Sequence, residues 1–346
     1  MGFLRSKNTR VLFLLFFIIL IVGIVIFFNQ TNPTKLQKSY TQKQSPDEPF
    51  QEMTIPYLQG RTYESKLGEL KQASENSSYT SYLTSYDSDG LNIEGLLTIP
   101  SGDQPLDGWP AIIFIHGYIP PTQYSTLTRY TDHVDYLARN GFVVFKIDLR
   151  GHGNSEGEPG GAYYSGDYII DVLNARSALQ NADFVNPKGI GLWGHSMAGN
   201  VVLRTVAIQP EIPAVAIWAG AVYTYEDWQK LRLNDNSYRP PGMSTQRNAK
   251  RQQLFDTYGE FDPNSPFWSK VPATNYLSDI KSAIQLHHST DDSVVNIDYS
   301  RNLNDILDRT SIPHEFYEYN GGGHNLTGSS FNSAMQRTVD FFKKHL

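Results

Sequence analysis

A serine at the junction of a buried strand and a helix is the strongest candidate for chemistry in the sequence. Ser196 lies in the segment Gly191-Leu-Trp-Gly-His-Ser-Met-Ala-Gly199, with small residues two positions before it and two positions after it. A sharp strand-to-helix turn needs small residues there because backbone approaches backbone, and such a turn exposes the serine hydroxyl. The helix start also aims N–H groups at developing negative charge. The segment therefore predicts a nucleophile for acyl transfer.

A base and an acid that would activate this serine follow it along the chain. Serine is a weak nucleophile at neutral pH, so the chemistry requires a histidine and a carboxylate that orients the histidine. Asp291 and Asp292 come just after a predicted strand, and His324 lies in the glycine-rich loop Asn320-Gly-Gly-Gly-His-Asn325 after the last strand. Adjacent side chains point in different directions, so only one of the two aspartates can face the imidazole.

Two backbone N–H groups are candidates for stabilising the oxyanion of a tetrahedral intermediate. Met197 directly follows the predicted nucleophile, at the start of the helix. Tyr118 follows a strand-ending His116-Gly117 pair, in which the glycine allows a tight turn. The segment Asp148-Leu-Arg-Gly-His-Gly-Asn-Ser155 is interpreted instead as a structural turn beneath the site.

The elements that must position these residues alternate between short apolar runs and helix-like stretches. Solid apolar runs indicate strands covered on both faces, and the alternation favours a parallel sheet with helices on both sides. The predicted strands are 111–115, 142–145, 189–193, 214–218, 283–287 and 314–319, and the predicted helices are 131–140, 167–180, 197–208, 298–307 and 333–346. Segments 79–86 and 91–99, joined by a turn at 87–90, predict an antiparallel hairpin before them.

Residues 221–282 interrupt this alternation with a long stretch of aromatic and charged side chains. The simpler interpretation is a peripheral helical elaboration of the domain. Long irregular insertions in compact domains are usually functional, so we expect a lid over a substrate pocket.

An apolar run near the N-terminus predicts a membrane anchor. Residues 11–28 contain no charged or polar side chain, and a helix of that length measures about 27 Å, which just spans a bilayer core. A cleaved signal peptide is the alternative, but its apolar run would be shorter and would precede a small-residue cleavage site. We therefore expect an uncleaved transmembrane helix at this position.

The charges around this run bear on its orientation. Basic residues in the tail 1–10 favour a cytoplasmic N-terminus, although lysines also follow the span. A large C-terminal domain translocates largely regardless of charge, so we expect the catalytic domain, residues 76–346, outside the cytoplasm. Residues 29–75, whose first part is polar, are expected to form a stalk between membrane and domain.

Composition excludes several classes of function. The chain has 346 residues, a formal net charge of −6 and no cysteine. These values exclude disulfides, thiolate metal sites and a cysteine nucleophile, and they give no broad basic surface for nucleic acid. No closely spaced histidine and carboxylate set lies on one helix, and the predicted chemistry needs no cofactor, so neither a metal nor a cofactor is expected. The expected partners are a small acyl substrate and the membrane.

Residues 79–346 resemble an α/β-hydrolase, and in particular the catalytic domain of prolyl oligopeptidase-like (S9-type) serine hydrolases and related esterases. The resemblance is carried by His116-Gly117, by Asp148-Leu-Arg-Gly-His-Gly-Asn-Ser155, by the turn around Ser196, and by His287-His-Ser-Thr-Asp-Asp-Ser-Val294 with Gly323-His324. The acid motif of that group, H-G-x-x-D-x-x-V, places the acid at Asp291 and puts His288 where the group has glycine. The turn around the nucleophile has Ala198 where the usual pattern has glycine.

The resemblance implies acyl transfer through an acyl-enzyme formed on Ser196, with esters, thioesters and peptides as possible substrates. Oligopeptidases of this group carry an N-terminal β-propeller, for which there is no room between residue 28 and the hydrolase domain. An alternative function is a non-catalytic hydrolase-like binding protein displayed on the membrane, prompted by the atypical Ala198 and His288.

Overall fold

Nine strands form one sheet in the residues that the computed structural model describes, which are 48–160, 162–231, 233 and 243–346. The strands are β1 (Lys71–Glu75), β2 (Tyr79–Ser88), β3 (Leu91–Pro100), β4 (Trp109–Ile115), β5 (Val143–Ile147), β6 (Val185–His195), β7 (Ala214–Trp218), β8 (Ala283–Ser289) and β9 (His314–Tyr319). Their order across the sheet is β1-β2-β3-β5-β4-β6-β7-β8-β9. Pairing is antiparallel from β1 to β5 and parallel from β5 to β9, which confirms the predicted mostly parallel sheet.

The predicted hairpin is formed by β2 and β3. Ser88 pairs with Leu91, so Asp89 and Gly90 form a two-residue turn. Their φ angles of 55° and 84° are both left-handed, as expected for a turn that follows the right-handed twist of the strands. This hairpin and β1 form the antiparallel edge of the sheet.

Helices cover both faces of the sheet. They are α1 (Ile55–Gln59), α2 (Thr131–Arg139), α3 (Asp167–Gln180), α4 (Ala198–Ile208), α5 (Tyr225–Leu231), α6 (Met243–Tyr258), α7 (Asp298–Leu307) and α8 (Ser329–His345). Alternate residues of β4 enter different hydrophobic clusters, Ile113 with α3, α4 and α7 and Phe114 with α2 and α8. A strand buried on both faces requires an unbroken apolar run, which is why the sequence predicts β4.

The predicted stalk, residues 29–75, is too long. Residues 48–75 belong to the same compact unit as the rest of the domain. Met53, Ile55 and Leu58 are fully buried, and the guanidinium of Arg204 donates a hydrogen bond to the Met53 carbonyl. β1, whose five residues are all exposed, adds a strand to the sheet edge. The polar composition of this segment gives no sign of these buried apolar side chains.

The insertion at 221–282 contains α5, α6 and short 3-10 helices in the residues described. Several of its aromatic side chains share a hydrophobic cluster with Met53, in which Trp268 is fully buried and Tyr225 stacks on Phe261 at 5.0 Å between ring centroids. That the insertion acts as a lid stays a prediction.

The predicted membrane helix, residues 11–28, lies outside the described residues. Within the described part of the chain, none of the helices combines the length and the apolar character that crossing a bilayer requires.

Candidate active site

Ser196 lies at the turn between β6 and α4, where the sequence predicts it. Its φ of 56° is left-handed, a conformation that is strained for a residue with a side chain. The turn is tied to the next strand, because the Ser196 N–H donates to the Trp218 carbonyl at 2.9 Å. A Cβ at Gly194 would approach Val202 Cγ1 to 3.0 Å, so a side chain there would force its neighbours to shift, whereas Ala198 occupies its own position with its methyl group buried. The atypical Ala198 therefore leaves the turn intact.

His324 meets the serine as predicted. Its Nε2 lies 2.9 Å from Ser196 Oγ, and its side chain is 16% exposed. The loop before it can take this path because Gly321, Gly322 and Gly323 have φ angles of 103°, 112° and 58°, all in the left-handed region. The three glycines thus bring a histidine from the end of β9 back over the end of β6.

Asp292 is the carboxylate that faces the imidazole. Its Oδ2 lies 2.8 Å from His324 Nδ1, and its side chain is fully buried. The same oxygen lies 3.1 Å from Nε2 of His288, and Oδ1 accepts the N–H groups of Val294 and Val295 at 2.8 and 2.9 Å. Burial alone would raise the pKa of Asp292, but the hydrogen bonds from His288 and His324 outweigh burial and lower it. The group is therefore ionised throughout the neutral range.

The prediction that Asp291 faces the imidazole is wrong. Asp291 is exposed, and its carboxylate bonds other groups at the end of the sheet. There it accepts hydrogen bonds from the Ser289 hydroxyl and, at 2.9 Å, from the N–H of Gly323, and these bonds lower its pKa. Asp291 thus supports the backbone that carries His324 without contacting the ring.

The acid motif fits the sequence in a second register, one residue further on. His288, Asp292 and Val295 then match its histidine, acid and valine, and Ser289 takes the place of its glycine. The buried ring of His288 bonds Ser300 Oγ at 2.8 Å and the acid at 3.1 Å, which supports this register. His288 is therefore not a substitution for glycine.

The geometry determines where the proton of the imidazole lies. An ionised carboxylate can only accept, so Nδ1 of His324 carries the hydrogen that bonds Asp292. In the neutral ring Nε2 is then an acceptor, and the Ser196 hydroxyl donates to it. This arrangement can withdraw the hydroxyl proton when the oxygen attacks an electrophile.

The two predicted oxyanion donors lie on either side of the nucleophile. Met197 follows it directly and precedes the first residue of α4. A Cβ placed on Gly117 would come within 3.1 Å of Ser196 Cβ, so the loop after β4 passes against the nucleophile. The Gly117 N–H already donates to the hydroxyl of Tyr130 at 3.1 Å. Tyr118 supplies the next N–H on this loop, and both oxyanion assignments stay predictions.

The turn at 148–155 supports the loop that carries Tyr118. Buried Asp148 accepts hydrogen bonds from the hydroxyls of Tyr124 and Thr126, both on that loop, and burial raises its pKa to about 6. Arg150 pairs with the buried Asp171 at 2.6 Å. These contacts agree with the structural interpretation of the turn. In the described ranges, no group of three or more His, Asp or Glu side chains could hold a metal ion.

The sequence is similar to a family of peptidases and to a protein named a peptidase. The model of the family described as Serine aminopeptidase, S33 matches residues 110–254. An uncharacterized peptidase, YtmA of Bacillus subtilis (strain 168), is 25% identical over 247 residues, which cover 70% of this chain and 85% of that protein.

Solved structures show the same fold at lower identity. Acetyl xylan esterase 1 from Thermoanaerobacterium sp. JW/SL YS485 superimposes with a TM-score of 0.59 at 20% identity, over 85% of this chain and 93% of that one. Dipeptidyl peptidase 4 of Porphyromonas gingivalis gives a TM-score of 0.59 at 18% identity, over 78% of this chain and 36% of that one. At such identities the likeness shows the fold alone.

Proposed function

We propose that the chain is a serine hydrolase of the α/β-hydrolase superfamily in which Ser196, His324 and Asp292 form the catalytic triad. One observation carries the proposal. An unbroken line of hydrogen bonds runs from Ser196 Oγ to His324 Nε2 at 2.9 Å and from His324 Nδ1 to Asp292 Oδ2 at 2.8 Å.

Each group has a defined part in the reaction. Ser196 Oγ attacks the carbonyl carbon of the substrate while His324 Nε2 takes its proton, and the buried charge of Asp292 stabilises the resulting imidazolium. His324 then gives the proton to the leaving alcohol or amine, which leaves an acyl group on Ser196. A water molecule, deprotonated by His324, attacks this ester, and the released serine recovers a proton from the imidazolium.

The oxyanion of each tetrahedral intermediate is bound between α4 and the loop after β4. The N–H of Met197 is one donor, aided by the positive end of the α4 dipole. The N–H of Tyr118 is the second donor. Support comes from the close approach of Gly117 to Ser196 and from the engagement of the Gly117 N–H by Tyr130.

A fluorophosphonate probe tests the proposed nucleophile. The native protein should become labelled, and Ser196→Ala should lose labelling and turnover together. Ser333→Ala, in α8, is a matched control that should keep both. Undiminished labelling of Ser196→Ala would exclude this nucleophile. A native protein that neither reacts nor turns over any ester or amide would favour the non-catalytic binding protein.

The substrate class is an ester or a peptide or amide bond. Peptide hydrolysis is favoured by the likeness to YtmA, which is named a peptidase, and the same triad chemistry also serves ester hydrolysis. Rates on p-nitrophenyl esters and on aminoacyl arylamides separate the two. Turnover confined to arylamides would make the protein a peptidase.

Residues 11–28 are proposed to anchor the enzyme in a membrane, with the catalytic domain outside the cytoplasm. The full chain should remain with membranes after alkaline carbonate extraction, and added protease should reach the domain from the non-cytoplasmic side. Release of the full chain by carbonate would refute the anchor, and protection of the domain would reverse the orientation.

A further inference from the structure

His195, the residue before the nucleophile, is hydrogen-bonded to the backbone of the base His324. His195 is the last residue of β6, and only 4% of its surface is exposed. Its Nε2 lies 2.9 Å from the backbone carbonyl of His324, and the centroids of the two rings are 4.7 Å apart. The loop that carries the base is therefore bonded through its backbone to the strand that carries the nucleophile.

The other ring nitrogen of His195 leads to the oxyanion loop. Its Nδ1 lies 2.8 Å from the hydroxyl of Tyr130, and the same hydroxyl accepts the N–H of Gly117 at 3.1 Å. A Cβ on Gly117 would lie 3.0 Å from His195 Nδ1, so the loop also packs directly on the ring. Tyr130 is the residue before α2 and lies far from the nucleophile in sequence.

The direction of every hydrogen bond in this chain is determined. A carbonyl oxygen can only accept, so His195 Nε2 carries the hydrogen and Nδ1 is the acceptor in the neutral ring. Tyr130 then donates its hydroxyl hydrogen to Nδ1 and accepts from the Gly117 N–H. Burial lowers the pKa of His195 well below its usual value and raises the pKa of Tyr130 to about 12, so both groups stay neutral when the enzyme works.

We propose that His195 and Tyr130 are positioning residues that couple the loop of the base to the oxyanion loop, by a hydrogen-bond chain from the Gly117 N–H to the His324 carbonyl. The inference rests on the proposed serine hydrolase function. The two loops supply groups that must reach the same carbonyl of the substrate, and small misplacements there are costly in rate. Neither residue touches the reacting atoms, so the effect passes through loop position.

Single substitutions break different links of this chain. Tyr130→Phe removes the bridging hydroxyl and keeps the ring, which packs edge-to-face on Phe114 at 5.2 Å. His195→Asn keeps an acceptor near the Nδ1 position and loses the donor to His324. Tyr136→Phe is the matched control, because it lies on the adjoining helix α2 and loses only an exposed hydrogen bond to Gln336.

The test compares kcat, KM and the rate of fluorophosphonate labelling in the two variants, in their double variant and in the control. We expect each single variant to lose roughly five- to tenfold in kcat, since one hydrogen bond is worth about 1 kcal/mol and about 1.4 kcal/mol is tenfold in rate. KM should stay unchanged and labelling should slow in parallel with kcat. The double variant should be no slower than the slower single variant, because one break already uncouples the loops.

Several results would overturn the coupling. A native kcat in Tyr130→Phe, a double variant whose loss is the product of the single losses, or a change in KM and thermal stability alone would each do so. Equal losses in Tyr136→Phe would show a general effect of α2. Ser196→Ala separates the two proposals, because turnover that survives this substitution refutes the hydrolase mechanism, whereas its loss beside a native Tyr130→Phe refutes only the coupling.

Discussion

The two sides of His324 are held by different chemistry. On one side its Nδ1 bonds Asp292, a fully buried charge that also receives two backbone N–H groups. On the other side its carbonyl accepts from the neutral ring of His195. The charged side orients the ring and stabilises the imidazolium, whereas the neutral side places the loop. Hydrogen bonds to ions are about twice as strong as neutral ones, so the charged side should dominate the rate.

The largest expected effect is on kcat, and it distinguishes Asp292 from the adjacent Asp291. Asp292→Asn should lower kcat by about 10⁴, because the amide no longer holds the imidazole in its productive tautomer. Asp291→Asn should lower kcat by no more than about tenfold, because it weakens only a bond to the loop backbone. Steady-state kinetics on the same substrate measure both. The reverse order of effects would restore Asp291 as the acid.

A smaller loss of kcat is expected from a substitution at Gly117, which packs against both His195 and Ser196. In Gly117→Ala the added methyl would lie 3.0 Å from His195 Nδ1 and 3.1 Å from Ser196 Cβ, so the oxyanion loop must move. We expect kcat to fall about 10²-fold, the lower end of the cost of losing an oxyanion donor. Gly60→Ala is the control, because its nearest atoms lie at 3.5 Å, an ordinary contact. A native kcat in Gly117→Ala would show that this loop does not bind the oxyanion.

The aspartate doublet shows where prediction from sequence reaches its limit. The acid motif contains doublets of His, Asp and Val, so it fits in two registers one residue apart. Both registers place a carboxylate beyond β8, and the side chains of neighbouring residues point in opposite directions. Only the path of the chain after β8, which buries Asp292 and exposes Asp291, decides between them.

Some features of the fold follow from a pattern in the sequence, and others leave no pattern there. The sequence predicts the strands β4 to β7 because burial on both faces demands solid apolar runs, and the Ser196 turn because its geometry demands small neighbours. The exposed strand β1 and the bonding of Met53 to Arg204 leave no such pattern. Tyr130 was missed for a similar reason, since its role depends on a hydroxyl that reaches two distant segments.

The smallest expected effect is on the free energy of unfolding rather than on kcat. It depends on Asp292, on the charged side of His324, and little on His195, on the neutral side. Asp292 has a lower pKa in the folded protein than in the unfolded chain, so its ionised form stabilises the fold. That stabilisation is complete above the pKa of the unfolded aspartate, about 3.9, and is lost as the pH falls through the lower pKa of the folded state. Each unit of difference between the two pKa values is worth about 1.4 kcal/mol.

The free energy of unfolding of the native protein should therefore fall more steeply below about pH 4 than that of the Asp292→Asn variant, which lacks this titration. Denaturant unfolding at about pH 5, 4 and 3, which brackets the pKa of an unfolded aspartate, measures the difference between the two proteins. Asp305→Asn, an exposed carboxylate on α7, is the control and should follow the native curve.

The neutral side of His324 contributes little to this difference. His195 is kept neutral by burial and gains a proton when the chain unfolds, so it also lowers stability as the pH falls below the ordinary histidine pKa. Burial is the largest cause of this shift and the charge of Asp292 the smallest, so most of the contribution cancels when one curve is subtracted from the other. A difference that stays constant down to about pH 3 would mean that the buried carboxylate gains nothing from its two histidines on folding.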